Sequence, residues 1–337
     1  MRLPRLTIVV PCYNEALGLP QTAKVLLASL AQLRQQQQIS VHSQLILVDD
    51  GSHDQTWAVI RRLEAQNDNV FGVRFSRNFG HQNALLAGMQ AADSLSDIVL
   101  TLDADLQDDP RLIPAMVACY RAGNDVVLGV RDDRQTDRWA KRWSAERFYG
   151  LLTKLGVPIV PNHADYRLLS HRALQALLQY HERNLFLRGI VPQLGFPTTR
   201  VYYHRQPRVA GHSKYTLKKM LALAQTGVLS FSNAPLRWIL GTGVGLSVVS
   251  AVSLAVILGH DWWQGALSWN PLFSGLGVLS GLQLLGIGLV GAYVGQVLTE
   301  VQHRPRYVVA QNDVPNHRTV AVPATRVLQP SQKGQPF

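Results

Sequence analysis

The chain has 337 residues, with 33 Lys and Arg against 22 Asp and Glu, for a formal net charge of +11. That length sets an expectation of about two domains. The cations are spread along the chain, which points to a phosphate-bearing substrate or an anionic membrane surface and argues against a nucleic-acid partner. Two cysteines, Cys12 and Cys119, exclude a disulfide framework and have no metal-ligand spacing.

The N-terminus passes into a strand without an apolar signal region, so the first 230 residues are expected to stay on the cytoplasmic side. Leu6 to Val10 is a short apolar strand stopped at Pro11, followed by the loop Pro11-Cys-Tyr-Asn-Glu15 and a helix from about Gly18 to Leu33. Leu45 to Val48 is a second strand, running into Asp49-Asp-Gly-Ser52, with Asp54 as N-cap of the next helix. Val70 to Phe75 is a third, ending in Ser76-Arg-Asn-Phe-Gly-His81, with a helix from about Gln82 to Ala92. Ile98 to Leu102 is a fourth, then a helix from about Arg111 to Ala122 and a strand from Asp125 to Gly129. Strands alternating with helices of this length predict βαβ units and a mostly parallel sheet.

The fourth strand ends in Asp103-Ala-Asp-Leu-Gln-Asp-Asp-Pro110. In an open α/β sheet, ligands bind beyond the carboxyl ends of the strands. If the extended backbone continues, Asp103 and Asp105 point the same way. Two carboxylates with the amide of Gln107 behind them suit Mg2+ or Mn2+. The alternative is a solvated acidic loop capping a helix. Polar clusters after four successive strands, with Arg131 after the fifth, favour the metal and phosphate site. Neither a Gly-x-Gly-x-x-Gly after the first strand nor a Gly-Lys-Ser/Thr loop is present. A diphosphate therefore needs a metal and arginines to meet its charge, and Asp103, Asp105 and Arg131 can supply both.

Residues 132–156 are rich in Arg, Lys and Trp, with Trp139, Trp143, Phe148, Leu151 and Leu155 at helical spacing. They read as a helix closing a sheet edge or as a membrane-surface helix. Asn162 to Ser170 leads into another helix, and there Asp165 is either an ion-pair partner of Arg167 or a catalytic carboxylate. Arg205, Arg208 and Lys214, around Gly211-His-Ser213, form an anion pocket or a solvated basic surface.

Leu236 to Leu258 is about 23 residues charged only at Arg237, against about 20 needed to span a bilayer. Pro271 to Leu298 is a second uncharged stretch. Lys218, Lys219, Arg237, Arg304 and Arg306 flank the pair, and the connecting loop has no Lys or Arg, which places both ends in the cytoplasm. Trp262, Trp263 and Trp269 fit an outer aromatic belt. Gly277 with Gly281, and Gly291 with Gly295, are spaced for close helix approach in a homo-oligomer, a dimer or tetramer. Val308 to Phe337 reads as a disordered tail. The expected domains are thus 1–232, a membrane unit 233–300 and a tail 301–337.

In order, Val9-Val-Pro-Cys-Tyr-Asn-Glu15, Val48-Asp-Asp-Gly-Ser52, Ser76-Arg-Asn-Phe-Gly80, Leu102-Asp-Ala-Asp-Leu-Gln107, Gly129-Val-Arg131, Asp165-Tyr-Arg167, Phe186-Leu-Arg-Gly189 and Gly211-His-Ser-Lys-Tyr215 resemble bacterial polyprenyl-phosphate glycosyltransferases. These are members of glycosyltransferase family 2, of the dolichyl-phosphate-mannose-synthase-like branch. The resemblance implies an α/β GT-A nucleotide-sugar-binding domain followed by a two-helix transmembrane hairpin in the plasma (inner) membrane. It implies metal-dependent, inverting transfer of a single sugar, UDP-glucose being the first choice of donor, onto undecaprenyl phosphate. A mannosyl or aminoarabinosyl donor, or a non-catalytic sugar-nucleotide sensor, are the alternatives. By resemblance, Pro11, Tyr13, Glu15, Val48, Asp49, Asp50 and Ala104 line the nucleotide site. Asp103, Asp105 and Gln107 hold Mg2+ or Mn2+, Arg131 assists, Asp165 belongs to the catalytic set, and Arg205, Arg208 and Lys214 face the acceptor phosphate. His81 and His212 depart from the family pattern, where Lys and Glu are expected. The Gln-x-x-Arg-Trp signature of processive synthases is absent, which favours a single addition.

Overall fold

A computed structural model of the chain describes residues 2–131, 163–183, 186–204, 234–264 and 270–315. The expected amphipathic helix at 132–156 and the basic cluster of Arg205, Arg208 and Lys214 lie outside the described residues, as does 316–337.

Eight strands form one sheet: β1 (Leu6–Cys12), β2 (Gln44–Asp49), β3 (Val70–Phe75), β4 (Ile98–Thr101), β5 (Val126–Arg131), β6 (His163–Ser170), β7 (Thr198–Tyr203) and β8 (Val309–Asn312). Their spatial order is β7-β5-β6-β4-β1-β2-β3-β8. β1 pairs parallel with both β2 and β4, and β2 with β3. The helices α1 (Leu19–Gln35), α2 (Thr56–Gln66) and α3 (His81–Ala92) connect these strands, and α4 (Ile113–Arg121) follows a 3-10 turn at Pro110–Leu112. Alternate residues of β1 serve opposite faces, as a period of two requires. Leu6, Ile8 and Val10 join Leu26, Leu30 and Met116 in one core, while Val9 joins Ala84, Leu85 and Met89 in the other. With both faces covered, the strands have to be apolar throughout, which made them legible.

The sheet is mixed and less parallel than expected. β6 runs antiparallel between β4 and β5, and β8 runs antiparallel on the outer edge of β3. The segment expected only to lead into a helix is thus a central strand, followed by α5 (His171–Leu178) and a helical turn α6 (Leu187–Ile190). Val309–Asn312, at the start of the expected disordered tail, is an ordered edge strand. Asp54 is not the N-cap of α2, which is Gln55; its carboxylate instead accepts from the backbone N–H of Thr56 and of Ala16.

Two long helices, α7 (Ala234–Gln264) and α8 (Asn270–Val301), cover both expected membrane segments. They expose Trp238, Leu240, Val244, Val252, Leu284, Ile287, Val290 and Val294. Among the described residues one stretch, Leu279–Val301, is long and apolar enough to cross a membrane.

Candidate active site

Strand order reverses at β1, because β2 lies on one side of it and β4 on the other. In an open α/β sheet such a reversal is where ligands bind, beyond the carboxyl ends of the strands. β4 ends at Thr101, so Leu102 to Gln107 is a turn and the extended backbone does not continue through the acidic pair as expected. Leu106 has φ 53°, the left-handed region. Thr22 Oγ1 on α1 donates to the Ala104 carbonyl across 2.7 Å, and Gln107 N donates to Asp105 Oδ1 across 3.2 Å. These bonds fix the turn.

Within this turn the Asp103 carboxyl feels several neighbouring acids at once. Burial pushes the Asp103 carboxyl up to about 6, with Asp108, Asp165 and Asp105 adding to the rise against His81. Asp103 Oδ1 is buried and has no hydrogen-bond partner among the described residues, although His81 Nε2 lies 3.4 Å away. A buried carboxylate oxygen without a donor, held in a negative field, fits a hard divalent cation. No group of three or more His, Cys, Asp and Glu side chains among the described residues is placed to enclose one. Mg2+ uses one or two carboxylates and takes its other oxygens from water and substrate phosphate.

Asp165, nearly fully buried on β6, is the centre of an ionic knot. It pairs with Arg167, receives Arg188 Nη2 at 2.9 Å and Nε at 3.3 Å, and accepts from Gln82 Nε2 at 3.4 Å. His81 Nε2 is 3.4 Å from its Oδ2. Burial alone works against the ionised form, but Arg188, Arg167 and His81 outweigh it and hold Asp165 well below the usual carboxylate range. The imidazole of His81 is raised: burial disfavours its charge, and Asp103 and Asp165 override that.

Arg131 ends β5 and is committed to a second buried acid. Its Nη2 donates to Asp108 Oδ1 at 3.0 Å and its Nε to Tyr203 OH at 3.2 Å, while the Tyr203 hydroxyl donates to the same Asp108 oxygen. Asp108 Oδ2 is buried without a partner among the described residues.

The loops expected to hold the nucleotide are knitted to each other. Asn14 N donates to Ser52 Oγ, Glu15 N to Thr56 Oγ1, and His53 N to Asn14 Oδ1, all at 2.9 Å. Asp50 accepts from Asn78 Nδ2 and from the N–H groups of Phe79 and Gly80, so its carboxylate holds the loop after β3. Asp49, fully buried, accepts from Ser52 N at 3.0 Å, and its other oxygen lies 3.6 Å from Arg74 Nε. Pro11 stands within β1, while Tyr13 and Glu15 follow it in the loop. The Val48 side chain packs in the core against α3 and Ala104 is buried, so these two can line a pocket only through backbone atoms.

Residues 7–181 match the sequence profile of glycosyl transferase family 2. The chain belongs to glycosyltransferase family 2. It is 44% identical over 311 residues to the uncharacterized glycosyltransferase YkoT of Bacillus subtilis (strain 168), covering 91% of each chain. It is 36% identical over 312 residues to the bactoprenol glucosyl transferase of Shigella phage SfV, covering 90% of this chain and 98% of that one. A crystal structure of glucosyl-3-phosphoglycerate synthase from Mycobacterium tuberculosis is similar at 19% identity and TM-score 0.44, over 68% of this chain and 80% of that one.

In this glycosyltransferase the structure brings Asp103 and Asp165 to one His81 nitrogen, and Asp108, which holds Arg131, adds to the negative field at Asp103. Sequence reasoning gave no role to Asp108, Gln82, Arg188 or Tyr203. Arg188 lies in the Phe186-Leu-Arg-Gly189 motif, which was its only signal. Asp108 was one more acid in an acidic run, and only its complete burial separates it from Asp109.

Proposed function

We propose that the enzyme transfers one sugar, glucose from UDP-glucose, to a polyprenyl phosphate at the cytoplasmic face of a membrane it spans as a two-helix hairpin. The observation that carries this reading is the match to the phage bactoprenol glucosyl transferase over 98% of that chain, the C-terminal helices included. The exposed apolar faces of α7 and α8 and the candidate span Leu279–Val301 support the membrane part.

Asp103 and Asp105, with the amide of Gln107, would hold Mg2+ or Mn2+. A bound divalent ion supplies positive charge to the departing diphosphate. Asp50 and the cross-bonded loops after β1 and β2 shape the nucleotide wall. Asp108 and Tyr203 hold the Arg131 guanidinium at the rim, where its positive charge stabilises the leaving group. An acceptor phosphate, with a second pKa of about 6, is already a nucleophile near neutral pH. Asp165, held ionised by two arginines, is a poor proton acceptor. Its part is to position Arg188 and Arg167.

The test is an assay of the purified full chain in detergent micelles with undecaprenyl phosphate, Mg2+ or Mn2+ and labelled UDP-glucose, GDP-mannose or UDP-aminoarabinose in parallel. Label from UDP-glucose moving into the organic phase supports the reading. Transfer from another nucleotide only would replace the donor. Tight UDP-glucose binding with no transfer to any lipid phosphate would favour a sensor.

A further inference from the structure

Three arginines converge where the apolar helix ends. The span Leu279–Val301 closes in the last turn of α8, and a cleft of about 230 Å3 opens directly after it. Its charged lining is Arg183, Arg304, Arg306, His181, His303 and Glu300. The cleft is built by two fixed contacts between segments far apart in sequence. Both oxygens of Glu300 accept from the backbone N–H of Arg183, at 2.8 and 2.9 Å, and Arg306 Nη2 donates to the Tyr180 carbonyl. The Glu300 carboxylate is thereby taken up by a backbone N–H. Among the described residues no ion pair involves the side chain of Arg183 or Arg304, and Arg304 and His303 are exposed. Glu182, the nearby second acid, interacts with Glu300 and Arg306 and does not line the cleft.

We propose that this cleft binds the phosphate headgroup of an anionic membrane lipid. The assignment rests on the membrane reading above, because only then does the end of α8 lie at headgroup depth. A preformed cleft with unpaired guanidinium groups is suited to phosphate, which arginine binds in a bidentate fork. Basic residues directly beyond an apolar span face the negative surface of the cytoplasmic leaflet. The lining of the cleft includes none of Asp103, Asp105, Asp165 or Arg131. A soluble phosphate has the same chemistry, and the experiment separates the two sources.

Thermal unfolding of the full chain and of Arg304→Gln is followed in neutral detergent micelles with phosphatidylglycerol, phosphatidylcholine or inorganic phosphate added. The wild-type midpoint is expected to rise about 2–4 °C more with phosphatidylglycerol than with phosphatidylcholine, as ligand binding to the folded state requires. Arg304→Gln, at an exposed position, is expected to fold normally and to lose at least half of that difference. Equal shifts with both lipids, an undiminished shift in Arg304→Gln, or full reproduction of the shift by inorganic phosphate would each overturn the lipid site. Alkaline carbonate extraction of vesicles carrying the chain tests the foundation separately. Release of the chain would overturn the membrane reading, whereas a retained chain without lipid preference sinks the headgroup site alone.

Discussion

Arg131 Nη2 donates to Asp108 Oδ1 across 3.0 Å, and the carboxylate that receives it is fully buried. This pair links the end of β5 to the turn after β4, and Tyr203 joins β7 to the same oxygen. Burial opposes the Arg131 charge, but Asp108 more than restores it and raises the guanidinium above its ordinary value. Asp108→Ala is expected to leave that cation without its partner. Removing one member of a buried pair costs about 3–5 kcal/mol, and the lower end applies because a quarter of the Arg131 side chain remains in water. The midpoint of thermal unfolding checks the stability loss. A kcat reduced alongside it, with donor KM little changed, would mark Arg131 as acting on the leaving group.

Asp103 and Asp165 are 3.4 Å from the same His81 nitrogen, yet their substitution is expected to have opposite effects on stability. The Asp103 carboxyl is pushed up to about 6, so from about pH 4 to pH 6 the folded chain keeps a proton that the unfolded chain has released. Metal-free stability therefore falls as pH rises through that window, by about 3 kcal/mol in all for a shift of roughly two units. Asp103→Asn is expected to raise the metal-free unfolding midpoint at pH 8 while abolishing transfer, a trade common at binding sites. Asp165 is held well below the usual range, so its contribution is complete at neutral pH and is lost only in acid. Asp165→Asn strands the fully buried Arg167 and is expected to lower the midpoint, by about 3–5 kcal/mol in stability. Metal-free midpoints of the two variants at pH 8 decide the matter, and a fall in both would remove the contrast.

The parallel half of the fold was legible because its strands are buried on both faces and end in polar clusters. β6 was not, since His163-Ala-Asp-Tyr-Arg-Leu-Leu-Ser170 places Asp165 and Arg167 in the interior of a sheet. The ion pair of Asp165 with Arg167, one of the two readings of that run, is present and is what allows the burial, whereas Arg188, which completes it, comes from a distant segment that the run does not show. β8 escaped for the opposite reason: Val309-Ala-Gln-Asn312 is a four-residue edge strand, mostly exposed, with little apolar pattern to distinguish it from a tail. Within the site, Asp103 and Asp105 were proposed from their spacing, but the extended backbone behind that argument ends at Thr101. Asp108 was hidden because its burial and its contacts with Arg131 and Tyr203, neither of them visible in the run, set it apart from Asp109.

Gly51 is required by the crossing of two site loops. Its φ is +62°, and a Cβ there would stand 2.2 Å from the Arg77 carbonyl carbon and 2.6 Å from Asn78 N. Both are backbone atoms of the loop whose Phe79 and Gly80 N–H groups hold Asp50. Gly51→Ala is expected to cost about 2–5 kcal/mol, the sum of left-handed strain and overpacking. Because the displaced loop leads into His81, the first residue of α3, nucleotide binding should weaken together with the unfolding midpoint. Calorimetric titration with UDP beside a melting curve checks both, and unchanged values would show that the loop can move aside freely.

The segment beyond α8 returns to the sheet and protects its outer edge. Tyr307 stacks on Phe75 with ring centroids 4.8 Å apart, Ser76 N donates to the Val308 carbonyl at 3.0 Å, and Val314 is buried in the core. Arg61 pairs with Asp313 at 2.5 Å, closing the far end. β3 leads straight into the loop before His81, the first residue of α3, so this strap supports the site as well as the edge. A chain shortened to end at Gln302 would expose the backbone N–H and C=O groups of β3, an open template for another chain. Loss of the Tyr307 ring alone removes a stacked aromatic pair worth about 0.5–1.5 kcal/mol beyond the area it buries. The shortened chain is expected to elute as larger species in size-exclusion chromatography and to melt earlier, with Tyr307→Ala intermediate and unaggregated. A shortened chain that elutes and melts as the full one does would show that β3 needs no cover.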